Sequence, residues 1–145
     1  MTEPLTYTNA ELLAILRETR TIAMVGASPK WNRPSFFAMK YLQEKGYRVI
    51  PVNPGQAGSE ILGETVYASL SEIPGQFEMV DNFRNSEAAG PITDEAIALA
   101  GEKGIKVIWM QLGVINHAAA EKARAAGVKV VLDRCPKIEF GGLNA

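Results

Sequence analysis

Short, nearly unbroken apolar runs alternate along this chain with stretches whose apolar residues recur every three or four positions. The runs are Thr21-Ile-Ala-Met-Val-Gly26, Arg48-Val-Ile-Pro-Val52, Met79-Val80-Asp81 with its neighbours, Ile105-Lys-Val-Ile-Trp-Met110 and Val128-Lys-Val-Val-Leu132. A run that is apolar at almost every position suits a β-strand covered on both faces. The helical stretches lie between them. The first is predicted over about Asn9 to Glu18, with Thr8 and Glu11 at capping-box spacing and a stripe of Leu12, Leu13, Ile15 and Leu16. The second is predicted from about Ser35 to Lys45, with Pro34 in a first-turn position and Gly46 just past the C-cap. A short turn falls around Ser69 to Ile73. Ser86 caps a turn ahead of a helix over roughly Pro91 to Ala100, on which Ile92, Ala96, Leu99 and Ala100 share a face. Asn116 N-caps a last helix that reaches Ala126 and is stopped by Gly127.

Five such strands separated by helices predict an α/β fold, a Rossmann-like, doubly wound parallel sheet with helices on both faces. Right-handed crossovers leave few windings, and the order 3-2-1-4-5 is the one expected. Ligands of such sheets bind outside the carboxyl ends of the strands, where the winding reverses beside strand one.

With 145 residues the chain fits one domain, its first helix packed on the sheet. At 47% hydrophobic and 21% charged it has an ordinary globular composition. A net charge of −1 lacks the basic footprint of duplex binding, so no nucleic-acid partner is expected and a phosphate ligand would need a local site. The single cysteine, Cys135, cannot form an internal disulfide and points to a reducing compartment. Met1 to Asn9 is polar, without a signal-peptide core, and the apolar runs are strand-sized. A cytoplasmic protein without a membrane partner is expected. No ligand cluster suggests a metal.

The candidate chemistry lies just past each strand. Strand one ends in Gly26-Ala27-Ser28. Glycine lets the backbone turn sharply and approach a ligand, and the amides of the following helix point back at that spot with partial positive charge. Lys30 and Arg33 in the same loop could add full charges, ahead of Pro34 and Ser35. This is a candidate pyrophosphate cradle; it reads equally as a tight strand–helix turn. The dinucleotide fingerprint G-x-G-x-x-G is incomplete, since Ser28 and Trp31 stand where glycines would be. NAD sites also place an acid after strand two, and here that strand ends in Val52-Asn53-Pro54. A neutral Asn53 tolerates a phosphorylated ribose, so the site suits the 3′-phospho-ADP of coenzyme A better than NAD.

Strand three runs into Asn82-Phe83-Arg84, where Phe83 could pack on a ligand and Arg84 could hold phosphate, and Ser86 begins the next helix; a core Phe and a solvated Arg are the alternative. Strand four runs into Gln111-Leu112-Gly113, where Gln111 could orient an amide, while Trp109 and Met110 read as core.

With these segments in place, the chain resembles the CoA-binding-domain family, small YccU-like stand-alone proteins similar to the N-terminal domain of the succinyl-CoA synthetase α-subunit. The resemblance covers about Asn9 to Phe140. It is carried by Val25-Gly-Ala-Ser28, Pro51-Val-Asn-Pro54, Val80-Asp-Asn-Phe-Arg-Asn-Ser-Glu87, Trp109-Met-Gln-Leu-Gly113 and Asp133-Arg-Cys-Pro-Lys-Ile-Glu139, specific together in this order and spacing. It implies coenzyme A at the carboxyl edge. Gly26, Ser28 and Arg33 would meet the phosphates; Val52, Asn53 and Pro54 would flank the adenosine. Asn82, Phe83 and Arg84 would line the crevice towards pantetheine, with Gln111 near the far end. The loop from Ala27 to Pro34 departs from the glycine-rich synthetase pattern. The synthetase also uses a phosphorylated histidine in a second domain, which this chain does not reach.

No catalytic set stands out. The single histidine, His117, lies in the first turn of a helix and reads as structural. Asp81 and Asp133 lie near strand ends, where each could cap a loop, pair with Arg84 or Arg134, or approach the other. Cys135 could form a mixed disulfide with the CoA thiol, although a buried small apolar residue is the favoured reading. The expectation is therefore a protein that binds CoA or acyl-CoA without chemistry of its own, acting as a carrier, sensor or partner subunit. The alternative is an NAD(P)-dependent or acyl-CoA-handling enzyme. A phosphoacceptor receiver is disfavoured for want of acids after strand one, and an FMN carrier for want of a hydroxyl-and-glycine phosphate loop. An exposed helix face could support a homodimer or a protein partner, but nothing in the sequence specifies one.

Overall fold

A computed structural model of the chain describes residues 7–135, 138, 139 and 142. Met1 to Thr6, Pro136 and Lys137 of the last motif, and Phe140 lie outside the described residues. Helix α1 spans Asn9–Glu18, and its N-cap is Thr8, whose side chain accepts from the Glu11 amide. Strand β1 is Thr21–Val25, helix α2 Pro34–Glu44 and strand β2 Arg48–Val52. Pro34 holds the first helical turn, where its missing N–H costs nothing, and Gly46 turns the chain at φ 100.

Between residues 53 and 78 the sequence predicts a loop and a turn, and the chain is more ordered than that. A small antiparallel hairpin joins β3 (Glu60–Ile61) to β4 (Glu64–Thr65), turning through Leu62 and Gly63, both at positive φ. A 3-10 turn follows at Leu70–Glu72. Strand β5 is Met79–Asn82, helix α3 Ser86–Lys103, strand β6 Val107–Met110, helix α4 His117–Ala125 and strand β7 Lys129–Val131.

Helix α3 corrects the predicted span of Pro91 to Ala100. Its N-cap is Asn85, whose side chain accepts from the Ala88 amide, so the helix starts well before the proline and Pro91 lies inside it. Proline removes one hydrogen bond from a helix interior. Here an effective cap upstream, and packing of Ala89 and Ala96 into the core, hold the helix through it.

The five long strands form one parallel sheet in the order β2-β1-β5-β6-β7. The fold class is as expected, but the strand at residues 79–82 does not flank β2 as a 3-2-1-4-5 count of those five would have it. It pairs with β1 instead, Ala23 opposite Val80 and Val25 opposite Asn82. The outer edge of β2 carries only an isolated parallel bridge from Val52 to Tyr67. The cause lies in the connection. Extending the sheet outward from β2 needs another crossover on the face that α2 covers. Residues 53–78 contain no α-helix; they touch β2 at Tyr67 and then cross to the other face, where Leu70, Ile73 and Phe77 are buried with α3 and α4. With Tyr67 taken as a rudimentary outer strand, the winding is that of the Rossmann sheet and residues 79–82 hold its fourth place. The winding still reverses beside β1, so the crevice stays where the sequence predicts it.

The core has two layers. Helices α1 and α2 cover one face, burying Leu12, Leu16, Met39 and Leu42 over Met24, Met79 and Trp109. Helices α3 and α4 cover the other, with Ala96, Ala120 and Ala123 over Val80, Ile108 and Met110. Alanines at these helix positions let the helices approach the sheet closely.

Candidate functional site

Two loops meet where the winding reverses. After β1 the chain turns at Gly26, which sits at φ +87. A β-carbon there would come 3.1 Å from Arg84 Cδ and 3.2 Å from the Arg84 amide nitrogen. Only glycine satisfies both the backbone sign and the space. The Gly26 amide donates to the Val52 carbonyl and the Phe83 amide to the Val25 carbonyl, so the ends of β1, β2 and β5 are sewn together at this point.

The loop that follows is held by its serines. The Ser28 amide donates to Ser35 Oγ at 3.1 Å, and the Lys30 amide to Ser28 Oγ at 3.2 Å. The Arg33 amide closes a turn on the Lys30 carbonyl at 3.0 Å. Arg33 is the N-cap of α2 but makes no side-chain cap bond. The positive end of an 11-residue helix is therefore left without a side-chain acceptor, beside two exposed cationic side chains.

These residues enclose a groove of about 340 Å³ lined by Gly26, Ser28, Lys30, Arg33, Pro34, Ser35 and Phe83. Seven of the residues singled out in the sequence thus converge on one open cleft. A larger groove of about 770 Å³ runs along α1 and β7, lined by Tyr7, Leu12, Ile15 and Val131 among others. It is mainly apolar and none of the strand-end loops singled out above contributes to it, so the smaller cleft is the better phosphate site.

The remaining predicted residues lie around this groove. Ala27 and Val52 are buried beneath it. Asn53 joins the two loops: its Nδ2 donates to the Ala27 carbonyl at 2.8 Å, and its Oδ1 accepts from the Gly55 amide at 2.9 Å. Pro54 opens the exposed 3-10 turn beyond it. Asn82 is fully buried, and its Oδ1 accepts from the Arg84 amide at 2.8 Å, which fixes the turn that carries Arg84 outward. Arg84 is exposed and packs its aliphatic stem over Gly26. Ser86 faces the other way. Its hydroxyl accepts from the Ile115 amide at 3.0 Å, tying α3 to the loop after β6. Gln111 is partly buried, with its Oε1 buried and without a partner. Gly113 is exposed, at φ 81, and its amide donates to Asp133 Oδ1 at 2.6 Å.

Trp109 and Met110 are core, and Cys135 is buried. The Trp109 indole donates to the Arg134 carbonyl at 2.8 Å. His117 opens α4 and is partly buried. Asp133 caps the loop after β6 from a left-handed backbone position, φ 54, so it serves that loop. Asp81 is more unusual. It lies in register between Met24 and Trp109, fully buried, and neither carboxylate oxygen has a partner. Burial pushes its pKa well above the ordinary 3.8, which favours the neutral acid. The sequence puts Asp81 near a strand end, and the apolar Met79, Val80 and Phe83 around it are the local sign of its burial. Among the described residues no group of three or more histidine, cysteine or acidic side chains could hold a metal ion, and no helix is long and apolar enough to cross a membrane.

Comparison with known proteins identifies the family and the fold. The chain is 36% identical over 129 residues to the uncharacterized protein YneT of Bacillus subtilis, spanning 89% of this chain and 91% of that one. It matches the solved structure of a hypothetical protein from Pyrococcus horikoshii with a TM-score of 0.89 at 38% identity, covering 100% of this chain and 99% of that chain. It is also 29% identical over 133 residues to the I subunit alpha of an ADP-forming acetate–CoA ligase from Pyrococcus furiosus, covering 82% of this chain and only 28% of the ligase subunit. The CoA binding domain family matches residues 20–141, which takes in every strand end described above, and the chain belongs to that family.

Proposed function

We propose that this protein binds coenzyme A, free or acylated, across the carboxyl edge of its sheet. The observation that carries the reading is the groove itself. A glycine turn where any side chain would be strained, an uncapped helix N-terminus, two serines and the cationic Lys30 and Arg33 surround one cleft in a chain of the CoA binding domain family. This donor set fits a diphosphate: backbone amides and a helix dipole favour anions, and the side-chain charges neutralise them.

In this reading Gly26, Ser28, Lys30, Arg33 and Ser35 hold the diphosphate. The adenosine lies towards Val52, Asn53 and Pro54, where a neutral Asn53 leaves the 3′-phosphate unopposed. Pantetheine runs over Phe83 and Arg84 towards Gln111 and Gly113, and Asn82 and Ser86 act from behind by fixing the loops. The groove holds no nucleophile paired with a base, so the protein acts as a binder: a carrier, sensor or partner subunit. The acetate–CoA ligase relative shows such a segment as part of a larger chain.

Thermal unfolding with added cofactor tests the reading. Ligand at about 100 times its Kd stabilises a protein by about 2.7 kcal/mol. Coenzyme A should raise Tm, while NAD(H) and NADP(H) leave it unchanged. A rise with the nicotinamide cofactors and none with CoA would replace this proposal with a dehydrogenase-type one.

A further inference from the structure

Four large hydrophobic side chains stand exposed among the described residues: Trp31, Phe37, Leu112 and Ile138. Single exposed apolar residues are ordinary on protein surfaces, but each of these four lies in a segment that leaves the sheet. Trp31 follows β1, Phe37 lies near the start of α2, Leu112 follows β6 and Ile138 follows β7, so all of them follow carboxyl ends of the parallel strands. Trp31 is the most exposed, at 72%, whereas Trp109 is wholly buried.

The turn that carries Trp31 is anchored in the groove. It runs from Lys30 to Arg33, closed by the Arg33 amide on the Lys30 carbonyl, and Lys30 is held in turn by Ser28 Oγ. Trp31 thus lies within this exposed turn, between Lys30 and Arg33 in sequence, both of which line the cleft. The same loop is tied to the segment leaving β2 through Asn53 Nδ2 and the Ala27 carbonyl. That segment is where the adenosine lies in the reading above.

We propose that Trp31 stacks on the adenine ring of the bound cofactor. The inference rests on the coenzyme A reading and adds to it the residue that holds the base. An indole face takes any purine, and aromatic stacking is a common way for a protein to hold a base without hydrogen bonds to it. Lys30 and Arg33, which flank Trp31 in the sequence, hold the phosphates carried by the ribose of that base. Rigid attachment of the turn to Ser28 keeps base and phosphate contacts in one register.

Fluorescence and calorimetry separate the outcomes. The chain has two tryptophans, and Trp31→Phe leaves only the buried Trp109 as background. Wild type, W31F and W31A are titrated with coenzyme A, with adenosine 3′,5′-bisphosphate and with pantetheine. Coenzyme A and the bisphosphate should quench the Trp31 emission, and pantetheine should not. W31A should bind coenzyme A about tenfold more weakly, in line with one base–aromatic stack, while W31F keeps most of the affinity. Wild-type affinity in W31A, or quenching by pantetheine alone, overturns the stacking role and leaves the coenzyme A reading intact. No heat from coenzyme A with any variant overturns both.

Discussion

Gly26 and Arg84 follow the adjoining ends of β1 and β5, and the stem of Arg84 fills the space where a Gly26 side chain would be. A β-carbon on Gly26 would lie 3.1 Å from Arg84 Cδ, on a backbone already at φ +87. Gly26→Ala should therefore destabilise the fold by more than about 1 kcal/mol, since the left-handed backbone and the contact both oppose it. It should also weaken coenzyme A binding by shifting the Arg84 turn. Urea midpoints and calorimetry on the same variant check both; an alanine tolerated at full stability and affinity would show that this close approach is not required.

Arg84 itself is exposed, so its side chain can be removed without opening the core. Arg84→Ala should bind coenzyme A more weakly by about 1.5–3 kcal/mol, the value of one charge-assisted bond to phosphate, with Tm essentially unchanged. Unaltered affinity would place Arg84 outside the site.

Asn53 separates two roles that one substitution can distinguish. Asn53→Asp keeps an acceptor for the Gly55 amide but loses the Nδ2 bond to the Ala27 carbonyl and adds a negative charge. Loss of the loop tie should weaken all CoA-type ligands alike. The added charge should weaken coenzyme A further than dephospho-CoA, which lacks the 3′-phosphate. Equal losses for the two ligands would remove Asn53 from the neighbourhood of that phosphate.

Asp81 should give stability a pH dependence of definite sign. An unfolded aspartate loses its proton near pH 3.9, about the model-peptide value. In the folded protein, burial holds the proton to a much higher pH. Across that window the folded state binds more protons than the unfolded one, so stability falls as pH rises and levels off above the folded pKa. Asp81→Asn cannot ionise; it should flatten this slope and be more stable than wild type at neutral pH. Urea midpoints measured from about pH 4 to pH 8 follow it, spanning the model-peptide value and above. Parallel curves for the two proteins would mean that Asp81 is ionised and held by an unseen partner.

Local patterning carried much of the fold. Near-continuous apolar runs such as Thr21–Val25 and Val107–Met110 need cover on both faces, and that fixes strands in a parallel sheet. Caps are equally local: Thr8 and Asn116 act within three residues of themselves, so their spacing alone announces α1 and α4. Helix α3 extends past its predicted start because proline is the stronger local signal, and what outweighs it, the Asn85 cap with core packing of Ala89, is only partly local. The β3–β4 hairpin leaves no mark in the sequence because two-residue strands have no periodicity.

The order of chemistry-bearing segments at the strand ends was also legible, since each must follow its strand. What the sequence by itself determined was therefore the inventory: which runs become strands, which residues follow them, and that their loops gather on one edge. Only the tertiary structure decided the neighbours. It set residues 79–82 beside β1, brought Arg84 over Gly26 and turned the Ser86 hydroxyl towards Ile115 and away from the groove. It also sealed Asp81 between Met24 and Trp109. The physical reason is that periodicity and capping act over a few residues along the chain, whereas strand pairing and burial join residues tens of positions apart. Those contacts depend on which crossovers the connecting segments can make.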